Sequence, residues 1–371
     1  MGAVRMVGGA VRDALLGVEA ADIDLATVHP PEDIVRRVKG AGLRAIPTGL
    51  AHGTVTAIAD GRPFEVTTLR RDVATDGRHA VVAFTHDWAE DAARRDFTIN
   101  ALLADPLTGE VVDYWDGAAD LAAGRVRFIG EPLARIAEDH LRILRFFRFH
   151  ARFGRGEPDL AALAACTART NDLMALSRER VRDELLKLLC AQDPVPTLRT
   201  MLAHGILAPI LPDARAPDDL ARLIAHETAA QETPARKPCA PLRRLAALLP
   251  ADAALLDAIG YRLRLSTAER KRLAAMAPRL RTLPADPRVL AWAHGHETAR
   301  DLLLLGGAGP ELLARLAAWE RPRLPIGGSD LVAAGVAPGP EVARRLRVAE
   351  GAWVASGFAL GRDDLLAVAR A

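Results

Sequence analysis

The stretch Val7-Gly8-Gly9-Ala10-Val11-Arg12-Asp13 decides the fold of the N-terminal part of this chain. It joins Ala3–Val7, a β-rich segment, to Ala10–Leu16, whose apolar residues recur at helical spacing. Two glycines at a strand-to-helix turn let the backbone approach an anion, and the start of a helix offers it free N–H groups. Arg12, in the first helical turn, can reach the same anion. The pattern predicts a phosphate-binding turn, whereas a Gly-Gly pair by itself more often marks a plain tight turn.

The segments around this turn predict an α+β fold. Further β-rich runs occupy Ile23–Thr27, Thr54–Ala59, Phe64–Leu69 and Val111–Tyr114. A helical pattern over Pro31–Ala41 begins on a proline, and from about residue 121 only helical spacing continues. The few strands do not support a large doubly wound sheet. We expect a mixed head at 1–120, a helical neck at 121–230, and a helical body and tail at 231–371.

The composition excludes several classes of protein. The 371 residues carry 49 Lys and Arg against 47 Asp and Glu, and 50% are hydrophobic, which is typical of a globular chain and not of a disordered one. No apolar run approaches the ~20 residues that a membrane-spanning helix needs, and the N-terminus lacks the apolar stretch of a secretion signal. We therefore expect a cytoplasmic protein without a membrane anchor.

Cysteine and histidine spacing does not predict a zinc site. The three cysteines are scattered and lack a CxxC pattern. His226-Glu227 and His296-Glu297 resemble half of the HExxH motif of zinc proteases, but Ala230 and Arg300 stand where the second histidine is needed. We interpret both segments as ordinary helix surface.

Asp22-Ile23-Asp24 is the candidate metal site. On a strand, residues two apart point to the same face, so both carboxylates would project together. Two like charges side by side are unfavourable unless a cation lies between them, and hard oxygen ligands suit Mg²⁺. Glu65, in the strand-like run Phe64–Leu69, is a candidate third carboxylate. A solvated strand edge explains the pair about equally well.

Two further clusters combine arginines with a carboxylate. Arg94-Arg95-Asp96 suits a phosphate clamp in which Asp96 orients an arginine or a ribose hydroxyl; an exposed ion cluster is the simpler explanation. In the second cluster, Asp139, Arg142, Arg145 and Arg148 step by three along a predicted helix. Asp139 and Arg142 together can contact the polar edge of a base, although for an isolated helix a solvated salt bridge is the more common arrangement.

The order of these motifs, not any one of them, is specific. The sequence carries Val7–Gly17, Asp22-x-Asp24, His52-Gly53-Thr54, Phe64–Thr68, Asp76–His79, Arg94–Ala101 and Glu138-Asp139-x-x-Arg142-x-x-Arg145 in that order. In this the chain resembles the bacterial class II tRNA nucleotidyltransferases, the CCA-adding enzymes, and their relatives the bacterial poly(A) polymerases. The resemblance is strong over residues 5–155 and fainter through Leu176–Lys187 to Pro338–Val342.

The resemblance implies a polymerase-β-like nucleotidyltransferase head followed by an all-α neck, body and tail. Asp22 and Asp24 would hold two Mg²⁺ ions, with Glu65 as the third catalytic carboxylate. Asp139 and Arg142 would select the incoming base in place of a template strand. The nucleotide-binding residues that it implies are Gly8, Gly9, Arg12, Arg95, Asp96, Asp139, Arg142, Arg145 and Arg148.

The implied activity is the addition of C, C and A to the 3′ end of tRNA from CTP and ATP, with release of pyrophosphate. Poly(A) addition, or addition of only CC or only A, is the alternative, and a non-catalytic RNA-binding protein is a remote one. The segment Leu69–Trp88 resembles the loop that the family needs for the final A. Relatives usually carry a leading helix before the Gly-Gly turn, so we also expect the start to be misassigned or trimmed.

Overall fold

The strands of the N-terminal part form the sheet that carries the candidate carboxylates. The structure is a computed structural model that describes residues 2–20, 22–76, 79–231, 239–279 and 282–371. Its strands are β1 (Val4–Val7), β2 (Asp24–Thr27), β3 (Arg44–Gly49), β4 (Thr54–Ala59), β5 (Arg62–Thr68), β6 (Arg70–Asp76), β7 (His79–Phe84), β8 (Leu103–Ala104) and β9 (Val111–Val112). Among the described residues, seven strands pair in the order β3-β4-β5-β2-β1-β8-β9, and β6 pairs with β7 in a separate ribbon.

The centre of the sheet places two acidic residues side by side. β2 runs parallel to β5, and Asp24 is paired in register with Glu65. β2 runs antiparallel to β1, as do β1 and β8. Residues paired across neighbouring strands point to the same sheet face, so Asp24 and Glu65 project together.

Apolar side chains cover both faces of the sheet. One face packs Val55, Ala57 and Val66 against Ile34 of the first long helix, which spans Pro31–Gly40. The opposite face contributes Val7, Ala26, Leu69 and Leu103 to a core that includes Trp88 and Ala92. Because side chains alternate along a strand, Asp24 and Ala26 belong to the same face. The acidic pair therefore lies on the face of the Trp88 core.

Helices make up most of the remaining chain. Those before residue 213 are α1 (Gly9–Leu15), α2 (Pro31–Gly40), α3 (Trp88–Ala93), α4 (Gly117–Ala123), α5 (Pro132–Glu138), α6 (Arg142–Phe153), α7 (Leu160–Ala168), α8 (Arg178–Leu189) and α9 (Val195–Ala203). Those after it are α10 (Asp218–Ala229), α11 (Pro241–Leu248), α12 (Ala253–Arg262), α13 (Thr267–Ala275), α14 (Arg288–His294), α15 (His296–Leu305), α16 (Pro310–Ala317), α17 (Gly328–Ala333), α18 (Pro340–Ala355) and α19 (Arg362–Arg370). No helix among the described residues is long and apolar enough to cross a membrane.

Local capping signals fix several helix starts. Ser177 accepts a hydrogen bond from the Arg180 backbone N–H at the start of α8. Ser266 and Glu269 form a complete capping box at the start of α13. Both arrangements satisfy N–H groups that would otherwise lack partners.

The chain divides into two compact units, residues 1–212 and 213–371. The first contains the sheet and α1 to α9, and the second contains α10 to α19. The finer division into head, neck, and body with tail stays a prediction. The α+β fold with its helical continuation is confirmed, as are strands within the five predicted segments. β3, β6, β7 and β8 were not predicted.

Candidate functional site

A cavity of about 470 Å³ opens in the first unit. Its lining residues are Gly8, Gly9, Arg12, Arg95, Asp96, Asn100, Asp139, Leu141, Arg142, Arg145, Phe149 and Arg180. The structure therefore brings together all the predicted nucleotide-binding residues except Arg148. These residues come from the β1–α1 turn, the segment after α3, and the region around α6, which lie far apart in the sequence.

The Gly-Gly turn lines this cavity. Gly8 has φ 67°, a left-handed conformation that glycine adopts without strain. A Cβ atom at Gly8 would lie 2.8 Å from Nη1 of Arg95, so a side chain there would displace the guanidinium. The turn thus brings the backbone of β1 and α1 directly under a guanidinium group. This is the geometry that the sequence predicted for an anion-binding turn.

Arg12 is held in place next to the turn. Its Nη1 donates to Oδ1 of Asn100 at 2.6 Å, and its Nε donates to Oδ1 of Asp13 at 2.8 Å. Its guanidinium carbon lies 4.3 Å from the ring centroid of Phe153. Burial lowers the pKa of Arg12, and the Asp13 carboxylate opposes that effect. Arg12 is therefore a fixed, partnered cation at the cavity wall.

Asp96 hydrogen-bonds to two other residues of the cavity lining. Its Oδ1 accepts from Nδ2 of Asn100 at 3.0 Å, and its Oδ2 accepts from Nε of Arg145 at 2.7 Å. Burial acts to raise the pKa of Asp96, but the Arg145 charge and the hydrogen bonds outweigh it, so the pKa is lowered. A chain of contacts therefore runs from Arg12 through Asn100 and Asp96 to Arg145 on α6.

At Asp139, which also lines the cavity, the structure differs from the prediction. Asp139 does not lie on a helix with Arg142: α5 ends at Glu138, Asp139 has the extended angles φ −154° and ψ 107°, and α6 begins at Arg142. The backbone turns between the two helices because Oδ1 of Asp139 accepts from the Leu141 N–H at 3.1 Å. The predicted step of three along a single helix is wrong for Asp139 and holds for the three arginines.

Asp139 and Arg142 also have different partners. Oδ2 of Asp139 accepts from Nη2 of Arg180 at 2.7 Å. Arg142 donates from Nη1 to Glu138 at 2.5 Å and to the Arg135 carbonyl at 2.9 Å. One carboxylate and one guanidinium therefore line the same cavity, each oriented by its own partner. This arrangement provides an acceptor and a donor for the edge of a bound ring.

Several residues were placed differently from their prediction or were missed by it. Arg148 does not line the cavity; its Nε donates to buried Glu184 at 2.6 Å. Asn100, Phe149 and Arg180 line the cavity but were not predicted as site residues. Asn100 lies in the quoted stretch Arg94–Ala101, and Arg180 lies in Leu176–Lys187, so both were within the segments that carry the resemblance.

The candidate metal carboxylates lie outside the cavity lining. Asp24 begins β2, and Asp22 precedes the strand instead of belonging to it. Burial raises the pKa of Asp24, Arg95 lowers it, and the neighbouring Asp22 charge raises it further. Asp22 and Arg95 are therefore both close enough to act on Asp24, and Glu65 is its strand partner.

Carboxylate oxygens of this kind fit a hard divalent cation, because the charges of Asp22 and Asp24 oppose each other without one. Among the described residues, however, no group of three or more His, Cys, Asp or Glu side chains is close enough to hold a metal ion. The assignment of Asp22, Asp24 and Glu65 as metal or catalytic residues stays a prediction.

In the second unit, the interpretation of His226-Glu227 as ordinary helix surface is wrong. Glu227 is 1% exposed, and its carboxylate accepts hydrogen bonds from Arg243 and Arg244. Nδ1 of His226 lies 3.0 Å from the Leu304 carbonyl oxygen. The segment is therefore part of a buried ionic cluster and not a solvated face.

The segment Leu69–Trp88 contains both strands of the β6–β7 ribbon and the first residue of α3. Asp76 pairs with His79 at the end of the ribbon, and Gly77 and Arg78 lie outside the described residues. At its base, the Leu69 N–H donates to the Thr27 carbonyl at 2.8 Å, and the Thr85 N–H donates to the Leu69 carbonyl at 2.9 Å. The ribbon is thereby joined to the end of β2.

Comparison with known families defines the class of the protein. The Poly A polymerase head domain matches residues 4–127, and the family described as the probable RNA and SrmB-binding site of polymerase A matches residues 158–216. The mixed sheet and the cavity lie within the first unit, which contains nearly all of both matches. The class is that of polymerases with a nucleotidyltransferase head.

Relatives of known identity cover almost the whole chain. The CCA tRNA nucleotidyltransferase 1, mitochondrial, of Mus musculus is 36% identical over 98% of this chain and 85% of its own length. The CCA-adding enzyme of Lacticaseibacillus paracasei is 32% identical over 98% of this chain and 91% of its own length. The structure of the Bacillus stearothermophilus CCA-adding enzyme in complex with CTP superposes with a TM-score of 0.74 and 27% identity, covering 95% of this chain and 89% of that one.

The chain belongs to the class II CCA-adding enzyme and poly(A) polymerase family. The family resemblance and the polymerase-type head with its helical continuation are confirmed. Enzymes of this family are metal-dependent.

Proposed function

We propose that this chain adds C, C and A to the 3′ end of tRNA, using CTP and ATP and releasing pyrophosphate. The observation that carries the proposal is that one cavity of about 470 Å³ is lined both by the Gly8-Gly9 turn and by Asp139 with Arg142. A nucleoside triphosphate needs both kinds of lining, one for its phosphates and one for its base. The similarity to enzymes named for CCA addition supports the same conclusion.

The residues that line the cavity have the chemistry that such a substrate requires. Arg12 and Arg95, with the backbone of Gly8 and Gly9, offer cations and close backbone approach to the triphosphate. Asp139 accepts from the exocyclic amino group of cytosine or adenine, and Arg142 donates to the neighbouring ring acceptors. Uracil and guanine present a carbonyl oxygen where those bases carry the amino group, and the Asp139 carboxylate repels it. The protein thereby selects C and A without a template.

We assign the metal ion to Mg²⁺, held by Asp22 and Asp24 with Glu65 as the neighbouring catalytic carboxylate. When bound, the metal supplies activation of the RNA 3′-hydroxyl and charge neutralisation at the reacting phosphate. Arg95 acts electrostatically on Asp24 and also lines the cavity. It can therefore keep the triphosphate next to the carboxylates.

The test is incubation of the purified protein and Mg²⁺ with a tRNA that lacks its last three nucleotides. CTP alone should add two residues, and ATP should add a third only after them. Long A tails from ATP alone would assign the chain to poly(A) synthesis. A stop after two C would identify a CC-adding enzyme and implicate the segment Leu69–Trp88. No addition under any condition would leave the non-catalytic RNA-binding alternative.

The partner that we propose is therefore tRNA, bound through shape and phosphate contacts more than through sequence. The cytoplasmic location that the sequence predicts stays a proposal, since the relatives include both bacterial and mitochondrial enzymes. Fractionation of the source cells, followed by immunoblotting, tests it directly.

A further inference from the structure

Asp91 on α3 is a buried carboxylate that neither the motifs nor the proposed chemistry explains. It is 1% exposed and does not line the cavity. A carboxylate is rarely buried this deeply unless its charge is paired and its oxygens accept hydrogen bonds. Its partners therefore show what it is for.

The Asp91 carboxylate accepts hydrogen bonds from two arginines that follow it in sequence. Oδ1 accepts from Nε of Arg94 at 2.9 Å, and Oδ2 accepts from Nη2 of Arg95 at 3.4 Å. Adjacent guanidinium groups repel each other, so one shared carboxylate stabilises both in a fixed arrangement. Burial lowers the pKa of Arg95, and the Asp91 charge is the largest influence that opposes it.

The position of Arg95 makes this pairing important for the cavity. Nη1 of Arg95 lies over Gly8, while its Nη2 contacts Asp91. Arg95 lines the cavity and also acts on the Asp24 carboxylate, which lies close to it. Asp91 is the carboxylate that hydrogen-bonds to Arg95, while Arg95 and Asp96, and Arg95 and Asp24, interact through charge alone. Without the Asp91 charge, the bond that fixes Nη2 of Arg95 is weakened, and the attraction of these other carboxylates acts on Arg95 unopposed.

Asp91 also holds the base of the β6–β7 ribbon. Its Oδ1 accepts from the backbone N–H of Arg70, the first residue of β6, at 3.2 Å. The adjacent Leu69 N–H donates to Thr27 at the end of β2, the strand that begins with Asp24. A single side chain thus contacts the ribbon base and the cavity arginine.

We propose that Asp91 is a positioning residue that directs Arg95 at the β- and γ-phosphates of the bound nucleotide and fixes the ribbon base to the same group. The inference rests on the proposed function, because it takes the cavity to bind a nucleoside triphosphate. Asp91 does not contact the nucleotide and acts through Arg95.

The experiment compares equilibrium binding of CTP and CMP to the full chain by calorimetry. CMP lacks the β- and γ-phosphates, so it reports on the base and ribose contacts alone. Asp91→Asn keeps the shape and removes the charge, and we expect the Kd for CTP to rise about tenfold while the Kd for CMP stays within twofold. Equal weakening of both ligands would mean a general loss of structure and would overturn the proposal.

Three further variants separate the charge from the shape and from helix α3 itself. Glu90→Gln removes an exposed carboxylate from the same helix and should leave both Kd values unchanged. Asp91→Glu keeps the charge and changes the shape, so it should bind CTP more tightly than Asp91→Asn; the reverse order would assign Asp91 to packing. In the Arg95→Ala background, Asp91→Asn should weaken CTP binding no further, and an additive loss would contradict action through Arg95.

The ribbon contact has its own readout. Hydrogen exchange at the Arg70 amide should be at least tenfold faster in Asp91→Asn than in the wild-type chain, and equal rates would overturn this half of the proposal. If Asp91→Asn does not fold, Asp91→Glu decides: retention of CTP affinity within threefold supports the charge role, and a selective loss beyond tenfold refutes it. A wild-type chain that binds CTP no better than CMP would instead refute the proposed triphosphate site.

Discussion

Each unit contains a cluster of arginines and carboxylates, and the two clusters differ in whether they line a cavity. In the first unit, Arg12, Asp96 and Arg145 are partnered and line a cavity of about 470 Å³. In the second unit, Glu227 and Asp301 are 1% and 0% exposed and are enclosed with their arginines. The residue types are the same, so an abundance of arginine does not identify a functional site. The difference is that the first cluster lines an open cavity together with the Gly8-Gly9 turn, whereas Glu227 and Asp301 are enclosed by protein.

The enclosed cluster is an ionic core. Glu227 accepts from Nε of Arg243 at 2.9 Å and from Nε of Arg244 at 3.0 Å, and Arg243 also donates to Asp301 at 3.0 Å. This cluster joins α10, α11 and α15, and its central side chains, Glu227, Arg243, Arg244 and Asp301, are buried. We therefore expect substitutions there to change stability and substitutions in the first unit to change activity.

The largest effect should come from the acidic edge of the sheet. Asp22→Ala combined with Asp24→Ala should lower nucleotide addition at least about 1,000-fold, because the metal contributes several kcal/mol to the transition state. The rate of CTP incorporation into a shortened tRNA measures this loss. The Kd for tRNA, measured by filter retention, should stay within about twofold of the wild-type value. Glu32→Ala with Asp33→Ala removes two carboxylates from the first turn of α2 and should keep near-normal activity; similar losses in both pairs would refute the metal assignment.

The enclosed cluster should respond in the opposite way. Glu227→Ala leaves two buried guanidinium groups without their shared partner and should lower the free energy of unfolding by about 3–5 kcal/mol. Urea unfolding measures that change, and the folded fraction should add nucleotides at the normal rate. Glu297→Ala removes a carboxylate whose side chain is 75% exposed and which pairs with Arg272 of the same cluster, so it should cost less than about 1 kcal/mol. Equal costs for the two variants would contradict the enclosed arrangement.

Substitution at the base-reading end should change selectivity more than rate. Asp139→Ala should reduce the preference for CTP over UTP about 10- to 100-fold, because one base contact contributes about 1–3 kcal/mol of discrimination. The ratio of kcat/KM values for the two nucleotides measures it. Asp183→Ala, on the exposed side of α8, is the matched control and should leave that ratio unchanged. An Asp139 variant that kept full discrimination would disprove the base-reading role.

The residues that the sequence predicted correctly are those governed by local geometry. The strand–turn–helix at Gly8-Gly9 and the helix that begins at Pro31 each depend on neighbours within a few residues. Asn100 and Arg180 were missed because their partners are distant: Asn100 contacts Arg12 across 88 positions and Arg180 contacts Asp139 across 41. No local pattern encodes such contacts.

The two errors have different origins. The helix was predicted to run through Asp139 because Asp139 and the following arginines step by three, and it breaks there because the Asp139 side chain accepts from the Leu141 N–H two residues on. Glu227 looked exposed because a charged residue on a helix usually faces solvent, and the arginines that bury it lie 16 and 17 positions away. A local bond decided the first case, and tertiary partners decided the second.

The smallest expected effect is a change of stability with pH that reports on the charge of Asp96 in the first-unit cluster. The pKa of Asp96 is lowered in the folded chain, because the Arg145 charge and the hydrogen bonds outweigh the opposing effect of burial. A carboxyl group with a lowered folded pKa stabilises the protein above its unfolded value of about 3.9, and that stabilisation disappears as the pH falls through the folded value. The stability cost of Asp96→Asn should therefore be constant from pH 7 to about 5 and shrink below about pH 4.

Urea midpoints of variant and wild type at each pH measure this cost. The control is Asp60→Asn, at an exposed turn where Asn tolerates the φ of 50°, and it should show a small cost at every pH. A cost for Asp96→Asn that did not change with pH would show that Asp96 acts through shape and neutral hydrogen bonds, and the contrast between the two clusters would then lie in packing alone.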